Sequence, residues 1–218
     1  MALSLLAGLS ILVLGESHMT LPDSLVVTLH NELVSQGATV HSIGACGASP
    51  QDWLVQKTVD CGADRVGKAP ATVRGRDATT TPITELIARE KPNLVVLVIG
   101  DTMASYDKDA FPKTWAWQSV TSLTKAIAAT KTQCVWVGPA WGTPGGQYKK
   151  NDTRTQLMSN FLAANVAPCS YVDSLTFSKP GEWKTTDGQH LTVTGYKAWG
   201  AAIAKAVAAS NAVKSAKP

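Results

Sequence analysis

Short, continuous apolar runs alternate along this chain with stretches in which apolar residues recur every three or four positions. Ile11-Leu12-Val13-Leu14 is the first run, bounded by Gly15, and has the pattern of a strand buried on both faces. Residues 21–36 follow a helical period, with Leu25, Val26, Leu29 and Leu33 on one side and Gly37 as a stop signal. Residues 38–43, 94–99, 134–137 and 170–172 read as four further strands. Helical patterns fall at 83–89, 113–130, 153–165 and 195–210, the last favoured by its alanines and lysines. Residues 65–81, rich in Gly, Ala, Thr and charge, read as a surface excursion. Strands alternating with helices predict a mainly parallel, five-stranded sheet covered on both faces: a three-layer α/β/α sandwich. No repeat, low-complexity tract or charge block divides the sequence, so one domain over residues 1–218 is expected.

Open sheets of this kind bind ligands beyond the carboxyl ends of their strands. Three segments fall there: Gly15-Glu16-Ser17-His18, Gly44-Ala45-Cys46-Gly47 and Gly100-Asp101-Thr102. A serine between a buried strand and a helix is exposed by the turn and faces helix N–H groups that can hold an oxyanion. It is equally a common helix cap. Before the last helix stands Asp187-Gly188-Gln189-His190. An Asp three residues ahead of a His can orient its ring, as activation of a serine requires. The plainer alternative is a capping region with Thr192 or Thr194 as the cap.

Together these pieces resemble the SGNH (GDSL-like) hydrolase family over nearly the whole chain. Ser17 stands in Gly15-Glu16-Ser17, where the family usually shows Gly-Asp-Ser. Gly44 stands at the second block, and Asp187 and His190 match the last in spacing and position. The resemblance implies a flavodoxin-like SGNH hydrolase fold. It also implies a Ser17 nucleophile, His190 as general base then acid, and Asp187 orienting it. The oxyanion would be held by the backbone N–H groups of Ser17 and Gly44 and by an Asn side chain. Thr102 replaces that Asn. Its hydroxyl can donate one hydrogen bond; losing such a donor costs about 3 kcal/mol of transition-state stabilisation. Glu16 in place of Asp is a second departure.

The activity so implied is a serine esterase acting on acetyl or other small acyl esters of a cell-envelope or extracellular polysaccharide. A polysaccharide O-acetyltransferase would use the same triad, with a membrane-associated acyl donor or an export partner. A carbohydrate-binding module that keeps the fold is the non-enzymatic rival. No cofactor is expected, because Gly15 to His18 lacks the glycines and hydroxyls of a phosphate cradle. Asp101 has no second carboxylate or His at ligand spacing, so no metal is expected either. His18 reads as substrate-facing or packing, and His30 and His41 as structural. Trp141 and Trp183 are expected to flank the cleft and stack on sugar rings, whereas Trp136 and Trp199 belong in the core. Trp115 and Trp117 lie on opposite sides of their helix.

The 218 residues carry a net charge of +4 with 17% charged residues, too scattered for a nucleic-acid surface. Lys149-Lys150 is expected on solvated surface. The four cysteines lack zinc spacing. Cys134 and Cys169 open strands that, as parallel neighbours, would bring them within disulfide reach, leaving Cys46 and Cys61 to pair. Two disulfides imply an oxidising compartment, periplasmic or secreted; four buried thiols are the alternative. Residues 1–14 are almost wholly apolar but lack a basic start and are too short to span a bilayer. They lead directly into Ser17, so they are read as strand, and any native leader or anchor is expected to lie outside this chain.

Overall fold

The computed structural model describes residues 5–106 and 110–216. The first four residues of the apolar run 1–14 lie outside that range. In chain order come β1 (Ser10–Gly15), a 3-10 turn (Ser17–Met19), α1 (Thr28–Ser35), β2 (Thr39–Ala45), β3 (Gly62–Val66), β4 (Thr72–Arg74), α2 (Ile83–Glu90) and β5 (Leu94–Val98). Then follow α3 (Asp101–Ala104), α4 (Lys113–Ala129), β6 (Gln133–Val137), α5 (Asp152–Asn165), β7 (Ser170–Val172), α6 (Val193–Ala209) and α7 (Asn211–Ala216).

The sheet has seven strands in the order β4-β3-β2-β1-β5-β6-β7 rather than the five expected. The five predicted strands are all present and mutually parallel. The two additional ones, β3 and β4, extend the β2 edge in antiparallel fashion and fall largely in the stretch read as an excursion. They carry no apolar period to betray them: all three residues of β4 are exposed, and only Gly62 and Ala63 of β3 are buried. The expected helix at 21–36 begins only at Thr28. Ahead of it the Ser24 hydroxyl donates to the Leu21 carbonyl (2.8 Å), and the Leu25 N–H turns back to the His18 carbonyl (3.0 Å). A serine bonding its own neighbourhood competes with helix in this way.

Alternation along the central strands divides the core into two layers. Ile11 and Val13 pack with Leu29, Leu33, Tyr196, Trp199 and Ile203 on the α1, α6 and α7 side. Leu12 and Leu14 pack with Leu86, Val120, Leu123 and Trp136 on the α2, α4 and α5 side. Each of the four β1 side chains is fully buried, contributing about 1.5–3 kcal/mol relative to exposure. Trp117 is 49% exposed while Trp115 packs on the second layer, as opposite helix sides require. Cys134 pairs with Cys169 and Cys46 with Cys61. Among the described residues, no helix is long and apolar enough to cross a membrane.

The strand order reverses at β1: β2 follows on one side and β5 on the other. A crevice opens at the carboxyl end of such a switch strand. Ser17 stands there.

Candidate active site

Two glycines shape this end of the sheet. A Cβ on Gly15 would lie 2.4 Å from the Met19 side chain, and one on Gly44 would lie 2.2 Å from the Met19 carbonyl. Their absence lets the turn after β1 fold tightly over the strand ends, with Met19 fully buried and Ser17 half-exposed above it. Glu16 ties that turn to the end of β5, one carboxyl oxygen accepting the backbone N–H groups of Asp101 (2.8 Å) and Gly100 (3.3 Å).

The segment before α6 meets Ser17 from the other side. His190 Nε2 lies 2.7 Å from Ser17 Oγ, and its Nδ1 lies 2.6 Å from Asp187 Oδ2. The other Asp187 oxygen accepts the backbone N–H groups of Gln189 (3.0 Å) and His190 (2.8 Å), made possible by Gly188 at φ 95°. Burial would raise the Asp187 carboxyl, but the His190 ring and these N–H groups hold it below its ordinary value. A carboxylate only accepts, so Nδ1 carries the proton and Nε2 is left to accept from the serine hydroxyl. Thr192 caps α6, so the capping reading of this segment holds beside the triad geometry.

Behind Ser17, His190 and Asp187 lies a second, wholly buried set. His18 and Asp101 are each 1% exposed, with His18 Nε2 2.5 Å from Asp101 Oδ2 and His18 Nδ1 2.8 Å from the Tyr196 hydroxyl. Lys150 reaches the second Asp101 oxygen as a buried ion pair. Burial lowers the His18 imidazole below its usual value, so it is neutral, donating to Asp101 and accepting from Tyr196. Burial would raise Asp101, but Lys150 and His18 hold it well below the usual carboxylate range. Burial, with the Asp101 carboxylate close by, pushes the Glu16 carboxyl up to about 8.

Several expectations change here. His18 packs rather than facing substrate. Lys150 is not solvated surface: the left-handed turn at Lys149 (φ 50°) drives its side chain inward to Asp101. Asp101 does acquire a His and a carboxylate neighbour, since one oxygen of Asp101, one of Glu16 and a ring nitrogen of His18 fall within 4.8 Å of one another. The sequence separations of 83 and 85 residues hid this. Both His18 nitrogens are engaged and an ammonium already sits on Asp101, so the donor set suits a hydrogen-bonded cluster rather than a cation.

The cleft above Ser17 has a volume of about 590 Å³ and is walled by Gly47, the Cys46–Cys61 disulfide, Thr102, Ser105, Tyr148 and Gln189. Gly44 does not reach it, being enclosed in β2 against Met19; Gly47, three residues on at φ 67°, does. Thr102 lines the cleft, but its hydroxyl donates to the Ala48 carbonyl (3.0 Å). Neither tryptophan offered as a sugar platform lines it. The Trp141 indole N–H donates to the Leu175 carbonyl (2.9 Å), and Trp183 packs against the α1/α6 core layer. The aromatic wall is Tyr148, 37% exposed, its ring edge-on to His190 at 5.2 Å. Tyr148 lies in the loop 143–151 that the sequence left undefined, and no periodic signal marks it. A cavity of similar size at the opposite end of the sheet, lined by Lys91, Asn93, Lys131 and Gln133, has no comparable constellation.

No family model matches the chain. It is 45% identical over 206 residues to Protein BcsX of Komagataeibacter xylinus, covering 93% of this chain and 78% of that protein. Among solved structures it resembles a DUF4886 family protein from Bacteroides uniformis (TM-score 0.61, 15% identity, 94% of this chain and 84% of the other). A GDSL-like lipase from Bacteroides thetaiotaomicron gives a TM-score of 0.59 at 15% identity, covering 91% and 87%. Axe2, an acetylxylan esterase from Geobacillus stearothermophilus, gives 0.55 at 13% identity, covering 93% and 95%. The chain belongs to the family of Protein BcsX and is built on the SGNH hydrolase fold.

Proposed function

We propose that this protein is a serine esterase that removes acetyl or another small acyl group from a carbohydrate. The observation that carries the reading is the single His190 ring bridging Ser17 and Asp187 at 2.7 and 2.6 Å. Ser17 Oγ attacks the ester carbonyl and gives its proton to His190 Nε2. The tetrahedral intermediate expels the sugar oxygen, which takes that proton, leaving an acyl-Ser17 ester. Water then attacks with His190 as base, releasing the carboxylic acid and restoring the serine. Asp187 holds the ring and stabilises the imidazolium. The backbone N–H groups of Ser17 and Gly47 make no hydrogen bond among the described residues, so Gly47 takes the donor role expected of Gly44.

The carbohydrate assignment draws support from fold neighbours described as an acetylxylan esterase and a carbohydrate esterase of family 3. Two disulfides fit a periplasmic or secreted site of action. Incubation with acetylated xylan and with a small aryl acetate, alone and with an unacetylated oligosaccharide, tests the reading. Free acetate released by the parent and lost in Ser17→Ala supports the esterase. Acetyl appearing on the oligosaccharide instead would make the same triad a transferase, and no turnover of any acyl ester would leave a binding module.

A further inference from the structure

Thr102 stands where the fold's side-chain oxyanion donor is expected, yet its one hydroxyl proton is committed to the Ala48 carbonyl at 3.0 Å. The cleft contains a different candidate. Gln189 sits between the two triad residues of its segment, is 4% exposed, and lines the cleft with Ser17. Its backbone N–H is fixed on Asp187 Oδ1 (3.0 Å). Its side-chain Oε1 accepts the Ser105 hydroxyl (3.1 Å). That contact turns the amide nitrogen the other way, and Nε2 has no hydrogen-bond partner among the described residues. Nor is it sealed off, for it is not one of the solvent-inaccessible polar atoms left without a partner.

The residue is only 4% exposed and its amide is anchored through the oxygen, while its N–H groups keep no partner among the described residues. The same arrangement is what a preorganised transition-state donor requires. It is fixed before substrate arrives and finds its acceptor only when negative charge develops. We propose that Gln189 Nε2 donates to the acyl oxyanion beside the backbone N–H groups of Ser17 and Gly47, in the role that Thr102 cannot fill. Ser105 is then a positioning residue that fixes which end of the amide faces the cleft.

The proposal rests on Ser17 as nucleophile, and the experiment separates the two. Parent, Gln189→Leu, Gln189→Glu and Thr102→Val are compared for kcat and KM on a small aryl acetate that carries no sugar. Ser17 labelling by a fluorophosphonate and thermal stability are followed in parallel. Gln189→Leu is expected to lower kcat by about 10²-fold with KM little changed. Gln189→Glu, which keeps shape but replaces the donor by an acceptor, should lose at least as much while remaining folded. Thr102→Val should cost less than either. A Gln189→Leu enzyme that turns over the aryl acetate like the parent would overturn the assignment. So would an effect confined to KM, or a larger loss in Thr102→Val. A parent whose Ser17 takes no label would instead bring down the esterase reading, and this proposal with it.

Discussion

Asp187 divides its work between two oxygens, one fixing the His190 ring and the other fixing the turn that presents it. Asn at this position can keep the shape but offers an N–H toward Nδ1, which favours the wrong tautomer. Asp187→Asn is therefore expected to lower kcat by about 10³–10⁴-fold. Its melting temperature should change little, because the side chain is 27% exposed. Two other residues set the response to alkali. Burial beside Asp101 raises Glu16 from 4.5 to about 8. Burial works against His41, but Asp64 and Glu90 outweigh it and raise the ring from 6.5 to about 9. In both cases the folded state holds the proton more tightly, so the stability is complete below the unfolded value and is lost as pH rises through the folded one. Denaturation midpoints should fall for Glu16 between about pH 4.5 and 8 and for His41 between about 6.5 and 9. Glu16→Gln should flatten the first limb and His41→Gln the second. A parent whose stability is level across this range would contradict the placement of both protons.

At the scale of elements, the segment after β6 acts as a clamp on the stretch that carries Asp187 and His190. The Thr143 N–H donates to the Gly188 carbonyl (2.9 Å) and the Gln147 N–H to the Asp187 carbonyl (3.3 Å). Gly146 allows the approach, since a Cβ there would sit 2.3 Å from the Asp187 carbonyl. The clamp is pinned at its far end by Lys150 on Asp101. Removing one partner of a buried ion pair leaves an uncompensated charge and typically costs about 3–5 kcal/mol. Lys150→Met should therefore lower stability by that order and reduce kcat through the loosened loop, read by denaturation and by turnover on an aryl acetate. Unchanged values for both would remove Lys150 from the account.

The same elements show what the sequence disclosed. β1 and β5 are continuous apolar runs and were legible within a residue. The nearness of Ser17, Asp187 and His190 followed from their places at strand and helix ends. Lys150 looked like any basic surface pair, because its burial depends on Asp101, 49 residues away. β3 and β4 are held by backbone pairing with little apolar burial and leave no period to read. Gly44 was matched to the second block of the resemblance, but β2 runs through it to Ala45, and it is Gly47 that lines the cleft. Trp141 was drawn toward the cleft by its strand end and Trp183 by its nearness to Asp187, while side-chain direction, set by tertiary contacts, turned them elsewhere.

For the molecule as a whole, the reversal of strand order at β1 makes the site an outcome of topology: Ser17 leaves the switch strand, Gly47 follows its neighbour β2, and Thr102 and Ser105 follow β5. The two disulfides serve different ends of this arrangement. Cys134–Cys169 joins the β6 and β7 region away from the cleft, closing 35 residues, a loop for which chain entropy gives on the order of 3–4 kcal/mol. Cys46–Cys61 walls the cleft and carries the turn of Gly47. Replacing the first pair by alanines should lower stability and leave kcat near the parent value. Replacing the second should lower kcat as well, and equal effects on kcat would deny the Cys46–Cys61 turn its role in the site.

Every role proposed for the cleft depends on Ser17 being an activated nucleophile. Treatment of the folded protein with a fluorophosphonate, read by intact mass and peptide mapping, tests it directly. One adduct, on Ser17, abolished in His190→Ala, is the result expected. A folded parent that takes no adduct, or takes it on another residue, would contradict the account.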